Sequence, residues 1–193
     1  MREAIKAACP QAAFTEAGTF ADAYAVLKGD SGITLIMLDA GLPDCDGFIG
    51  LFQLRNEFPE IPVVLVSDRS DDVSIGRATR LGAAGFLLKT SSCPDIVKAL
   101  AAIVRGKKWM SPPVPLNDNG GEIGAVATLS PAQFRILIGL QRGLRNKQIA
   151  FEMGVTEKTV KAYTTTMYRK LGVSSRTQAL ILARKAFAEH IPQ

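Results

Sequence analysis

The stretch Asn146–Leu171, NKQIAFEMGVTEKTVKAYTTTMYRKL, decides the reading of this 193-residue chain. Ile149, Ala150 and Met153 recur at the spacing that lines one face of a helix. Gly154 can take the left-handed conformation of a sharp turn, and Val155 is expected to pack into the angle. Thr156 can cap a second helix. Its apolar positions Val160, Met167 and Leu171 face inward, leaving Lys158, Lys161, Thr165, Arg169 and Lys170 outside. A short helix, a Gly-containing turn and a basic, Thr-rich second helix form the layout that sets side chains into the major groove of double-stranded DNA. The competing reading is an ordinary amphipathic helix pair with solvated lysines.

Charge decides between the two. The chain carries a formal net charge of +5. Residues 129–193 hold eleven Lys/Arg against Glu152, Glu157 and Glu189, whereas residues 1–114 are close to neutral. All the excess positive charge therefore sits in the segment with the turn motif, as a polyanionic partner requires. Helices are expected near 130–142, 146–153, 157–171 and 175–189, with caps at Ser130 (before Pro131), Thr156 and Ser174 or Ser175.

Working outward, SPPVPLNDNGGEIGAVAT (Ser111 to Thr128) is rich in Pro, Gly and Asn/Asp and coincides with the charge change. It reads as a linker over 111–127, between an N-terminal domain, 1–110, and a helical domain, 128–193. In the N-terminal part, Ile33–Leu38 and Ile61–Val66 are continuous apolar runs, as in strands covered on both faces. Phe86–Leu88 is a shorter run, and Ala12–Glu16 a weaker one. Helical spacing lies between them near 19–28, 47–58, 71–82 and 94–106. Alternating strands and helices predict a parallel α/β sheet. Functional groups in such sheets gather at the carboxyl ends of the strands, where Asp39, Ser67 and Lys89 fall.

Several classes are excluded. Cys9, Cys45 and Cys93 are widely spaced, which suits reduced thiols better than a disulfide or zinc framework. The single His190 leaves no histidine-based metal or catalytic site. With no signal peptide and no long charge-free apolar run, a cytoplasmic protein without membrane contact is expected. Asp39 after an apolar strand is also seen in aspartate-nucleophile phosphatases, which resemble D-x-D-x-T. Here position 41 is Gly and position 43 is Pro, so no enzyme is expected.

Two resemblances sharpen this reading. From Leu129-Ser130-Pro131 through Gly143-Leu144, Asn146-Lys147-Gln148-Ile149-Ala150, Thr159-Val160-Lys161 and Lys170-Leu171-Gly172-Val173 to Ser175-Arg176-Thr177, the chain resembles the four-helix DNA-binding domain of the NarL/LuxR type. The resemblance implies that Lys161, Ala162 and Thr165 face base edges, and that Asn146, Lys147, Thr156, Lys158, Thr159 and Lys170 hold phosphates. It also implies that the last helix, with Ala179, Leu180, Leu182, Ala183 and Ala186, pairs two copies into a homodimer on an inverted-repeat operator. The family often has His where this chain has Tyr163, so the operator sequence does not carry over.

Residues 12–109 resemble the receiver domain of two-component response regulators, through LIMLDAGLPDCDGF around Asp39, VVLV before Ser67, and GAAGFLLK ending in Lys89. The resemblance implies a flavodoxin-like parallel sheet, Asp39 as phosphoacceptor, Ser67, Phe86 and Lys89 as switch residues, a sensor histidine kinase as partner, and Mg2+ beside Asp39. Such domains open with a strand ending in two acidic residues, placed centrally in a sheet of order 2-1-3-4-5. This chain instead begins at Arg2-Glu3-Ala4-Ile5, aligned with the following helix. Metal oxygens reduce to Asp39 and the Gly41 carbonyl, too few for a firm magnesium site. The start lying upstream, closure of the gap by the other strands, and cover by a partner molecule all remain open. So does a pseudo-receiver serving phosphorylation-independent dimerisation or docking. A small-molecule-sensing LuxR-type regulator would need a larger ligand domain in place of the receiver spacing.

Overall fold

The computed structural model describes residues 5–6, 11–29, 32–113 and 121–187, in two compact units, Met1–Leu116 and Asn117–Gln193. The first unit is a parallel α/β sheet. Its elements are α1 (Phe20–Gly29), β1 (Ile36–Asp39), α2 (Gly47–Glu57), β2 (Val63–Ser67), α3 (Asp72–Arg80), β3 (Gly85–Leu88), α4 (Cys93–Val104) and β4 (Trp109–Met110). The strands lie side by side in the order β1-β2-β3-β4, every pair parallel. Leu38 pairs with Leu65, and Leu65 with Phe86.

Every residue of β2 is buried, as its unbroken apolar run requires of a strand covered on both faces. Val64 packs with Leu87, Ala99 and Ile103 on the side covered by α4. On the other side, α2 packs against β1 and β2 and brings in Leu51 and Leu54. Each fully buried aliphatic side chain of this kind contributes about 1.5–3 kcal/mol.

Three acidic residues serve the helix starts. Asp46 accepts hydrogen bonds from Phe48 N and Ile49 N, and Asp71 from Ser74 N, satisfying amides that have no partner inside the helix. Asp44 accepts from Phe20 N and Ala21 N at 2.8 and 3.0 Å, and these amides hold its carboxyl below the usual range. The Tyr24 hydroxyl of α1 donates to Glu57 at the end of α2.

The structure corrects one expectation for this unit and adds two features to it. Residues 12–17 form no strand. Trp109–Met110 forms a short strand beside β3 that is too brief to show a period in sequence. Among the described residues β1 is an edge strand of the sheet, and its residues are mostly half-buried. Beyond that edge lies a groove of about 180 Å³ lined by Thr15, Ala23, Leu27, Ile36 and Leu38, among others, and reaching Asp39.

The second unit is all-α: α5 (Gly121–Ala127), α6 (Pro131–Gln141), α7 (Asn146–Met153), α8 (Glu157–Leu171) and α9 (Arg176–Phe187). The four expected helices are present; residues 188–189 of the last lie outside the described residues. Helix α5 corrects the linker expected over 111–127. Its Gly121 and Gly124 obscure helical propensity, but Ile123 and Val126 are buried where α5 packs against α9 and α8. Tertiary burial outweighs a propensity cost of about 1 kcal/mol per glycine. Glu122 and Lys185 add an exposed ion pair at 3.8 Å.

The thiols differ in environment. Burial pushes the Cys45 thiol up to about 12, with Asp46 and Asp44 adding to the shift, whereas Cys93 is exposed at the start of α4. Because the thiolate is the reactive species, iodoacetamide at neutral pH is expected to alkylate Cys93 in the native protein and Cys45 only after denaturation. Peptide mass mapping of both states checks this, and native labelling of Cys45 would contradict it.

Candidate nucleic-acid interface and receiver site

The turn motif is built as its residue types demand. Arg145 N donates to Gln148 Oε1 at the start of α7. Ile149 and Ala150 are buried, and Gly154 ends the helix at φ 66° and ψ 32°, a region that favours glycine. Thr156 opens α8: its hydroxyl accepts from Thr159 N and lies 2.9 Å from the Thr159 hydroxyl. Val160, Met167 and Leu171 are buried as expected. Val155 stands 37% exposed, and its N–H donates to Ala150 O.

The buried side of α8 is held by groups the sequence does not advertise. Ser130 and Gln133 form a reciprocal cap on α6, and the buried Gln133 also donates to Thr166 Oγ1 at 3.0 Å, linking α6 to α8. Arg176 donates to Leu140 O and Leu144 O, a cation at the carboxyl end of α6. A Cβ on Gly139 would come within 2.8 Å of Ile149 Cγ1, so α6 and α7 meet at a contact where an added carbon forces a neighbour to shift.

On the outer side, Lys147, Lys158, Lys161, Ala162, Thr165 and Lys170 are exposed, and Asn146 and Thr159 partly so. Some of these groups are already engaged. Lys161 Nζ lies 2.9 Å from Glu157 Oε1, Thr165 Oγ1 donates to Lys161 O, and Lys170 Nζ donates to Thr128 O at 2.8 Å. Ala179, Ala183 and Ala186 of α9 are buried inside the unit. The apolar surface left on α9 is therefore Ile181, with Leu180 and Leu182 half-buried, and not the whole expected run.

In the first unit, the carboxyl ends of β1, β2 and β3 bring Asp39, Ser67 and Lys89 together. Asp39 Oδ1 accepts from Gly41 N at 2.8 Å, and its Oδ2 lies 3.1 Å from Lys89 Nζ. The same ammonium lies 2.9 Å from Asp68 Oδ2. The hydrogen bond that Lys89 donates to Asp68, then the one it donates to Asp39, raises its pKa. Ser67 is buried, and its hydroxyl accepts from Arg69 N. Phe86 of β3 is fully buried. The donor set does not fit magnesium: both Asp39 oxygens are engaged by protein donors, and no group of three acidic, Cys or His side chains converges among the described residues. Sequence reasoning missed Asp68, because its partner Lys89 is 21 residues away.

Residues 1–101 match the response regulator receiver domain, and residues 127–183 match the bacterial regulatory proteins of the luxR family. The chain belongs to the LuxR-family response regulators. The glycerol metabolism activator of Pseudomonas putida is 35% identical over 162 residues, covering 78% of this chain and 73% of that protein. The response regulator protein VraR of Staphylococcus aureus is 31% identical over 152 residues, covering 77% and 73%. RcsB of Salmonella enterica serovar Typhimurium, solved bound to a promoter, is 19% identical and covers 94% of this chain and 91% of its own, at a TM-score of 0.49. This LuxR-family response regulator is thus a DNA-binding regulator of transcription, from families that are regulatory and not typically enzymatic. No helix among the described residues is long and apolar enough to cross a membrane.

Proposed function

We propose that this regulator acts in the cytoplasm as a homodimer on inverted-repeat operators, with α8 in the major groove. Lys161, Ala162 and Thr165 are assigned to base edges, and Asn146, Lys147, Thr156, Lys158, Thr159 and Lys170 to phosphates. The supporting observation is the exposed Lys/Thr face of α8, set off by the Gly154 turn and backed by buried Val160, Met167 and Leu171. Dimerisation is assigned to the Ile181 side of α9. The test is a titration of selected operator against random DNA at fixed salt, with stoichiometry from ultracentrifugation. Two protomers per operator and a steep loss of affinity with salt are the expected results; equal affinity for both DNAs would remove the operator reading.

A sensor histidine kinase acting on Asp39 is the ordinary control for such a chain, and Ser67 and Lys89 stand where they could meet a phosphoryl group. A second reading is favoured by the engaged Asp39 oxygens and the poor fit to magnesium: the N-terminal unit serves dimerisation or docking largely without phosphorylation. Acetyl phosphate with magnesium is expected to label Asp39 only weakly on Phos-tag gels, with Asp39→Asn as the blank. Rapid stoichiometric labelling would restore the ordinary control.

A further inference from the structure

Asp68 has no part in the functions assigned so far. It follows Ser67 at the carboxyl end of β2, its side chain is 72% exposed, and it lies closer to Lys89 Nζ (2.9 Å) than Asp39 does (3.1 Å). The turn after β2 is held by other groups, Arg69 N on Ser67 Oγ and the Arg69 guanidinium on Asp71. Two carboxylates therefore share one ammonium, and this trio sums to −1 at the place where an anion would arrive.

We propose that Asp68 is a positioning residue that holds Lys89 away from an incoming phosphoryl group and so limits phosphoryl uptake by Asp39. The proposal rests on the reading of Asp39 as phosphoacceptor. In transfer from acetyl phosphate, an Asp39 oxygen forms the new bond to phosphorus while the bond from phosphorus to the acetyl oxygen breaks. Acetate leaves with the electron pair, and no proton is gained or lost. The incoming dianion meets the trio's net negative charge, and the ammonium that should follow its oxygens is held to one side. Removing the Asp68 charge leaves a neutral Asp39–Lys89 pair and an ammonium with a single carboxylate partner. Exposed charges are screened, so the gain is a few-fold: about three- to tenfold in initial rate.

The experiment compares the full chain with Asp68→Asn and Asp68→Glu, labelled by acetyl phosphate with magnesium and read on Phos-tag gels with Asp39→Asn as blank. Asp68→Asn is expected to label about three- to tenfold faster, and Asp68→Glu to stay near the parent rate. The difference is expected to shrink as salt rises, which a purely structural effect would not show. Equal rates in the parent and Asp68→Asn, a gain shared by Asp68→Glu, or a gain insensitive to salt would each overturn the proposal while leaving Asp39 as acceptor. Absence of Asp39-dependent label from all the proteins would overturn the Asp39 reading, and the proposal with it.

Discussion

Gly139→Val is expected to destabilise the helical unit by about 1–3 kcal/mol and to abolish operator binding at temperatures where the parent protein still binds. The argument is steric. A first carbon on residue 139 would stand 2.8 Å from Ile149 Cγ1 and 3.0 Å from its Cδ1, and Ile149 is itself only 1% exposed. Close-packed interiors yield little to added volume, so α7 must move off α6. Helix α7 sets the angle of the turn at Gly154, and through it the direction of α8. A thermal melt followed by far-ultraviolet circular dichroism measures the loss. Gly139→Val combined with Ile149→Ala should recover part of it, because the second change removes the atoms that clash. A variant that melts like the parent protein would show that α6 and α7 do not meet as described.

Lys161→Ala is expected to weaken operator binding by about 1–3 kcal/mol, roughly five- to 150-fold, and random-DNA binding by much less. The ammonium sits one turn into α8 on the exposed face, 2.9 Å from Glu157. That ion pair is exposed, worth about 0.3–0.5 kcal/mol for partners one helical turn apart, and easily exchanged for a base edge. Fluorescence anisotropy at a single salt concentration decides the matter. Equal losses on both DNAs would reduce Lys161 to a phosphate contact, and no loss on either would remove it from the interface. Thr165 would read more through its methyl group, since its hydroxyl donates back to Lys161 O.

Legibility in the sequence followed the range of the interactions. The turn motif was readable because its determinants lie within a few residues of one another: Ile149 and Ala150 on one face, a left-handed Gly154, and Thr156 capping Thr159. The strand ends carrying Asp39, Ser67 and Lys89 were readable because a covered parallel strand needs an unbroken apolar run. Helix α5 was hidden because its stability comes from burying Ile123 and Val126 against helices distant in sequence. The Gln133–Thr166 bond and the hold of Arg176 on Leu140 and Leu144 span more than thirty residues, with no local signature. The alanines of α9 read as spare surface because the sequence does not show which side of that helix the rest of the unit already covers.

The order of the strands bears on how the first unit comes into being. Neighbours in the sheet are also consecutive in the chain, from β1 to β4. Each crossover through α2, α3 or α4 returns beside the strand just completed, so no strand waits for a partner synthesised much later. Parallel sheets fold slowly when pairing partners are far apart in sequence and long loops must close first. This sheet can instead be laid down strand by strand in the direction of translation, each βα segment meeting an edge that already exists. Growth in this direction adds each new strand on the side away from β1, so it extends one edge of the sheet and leaves the other as it was laid down.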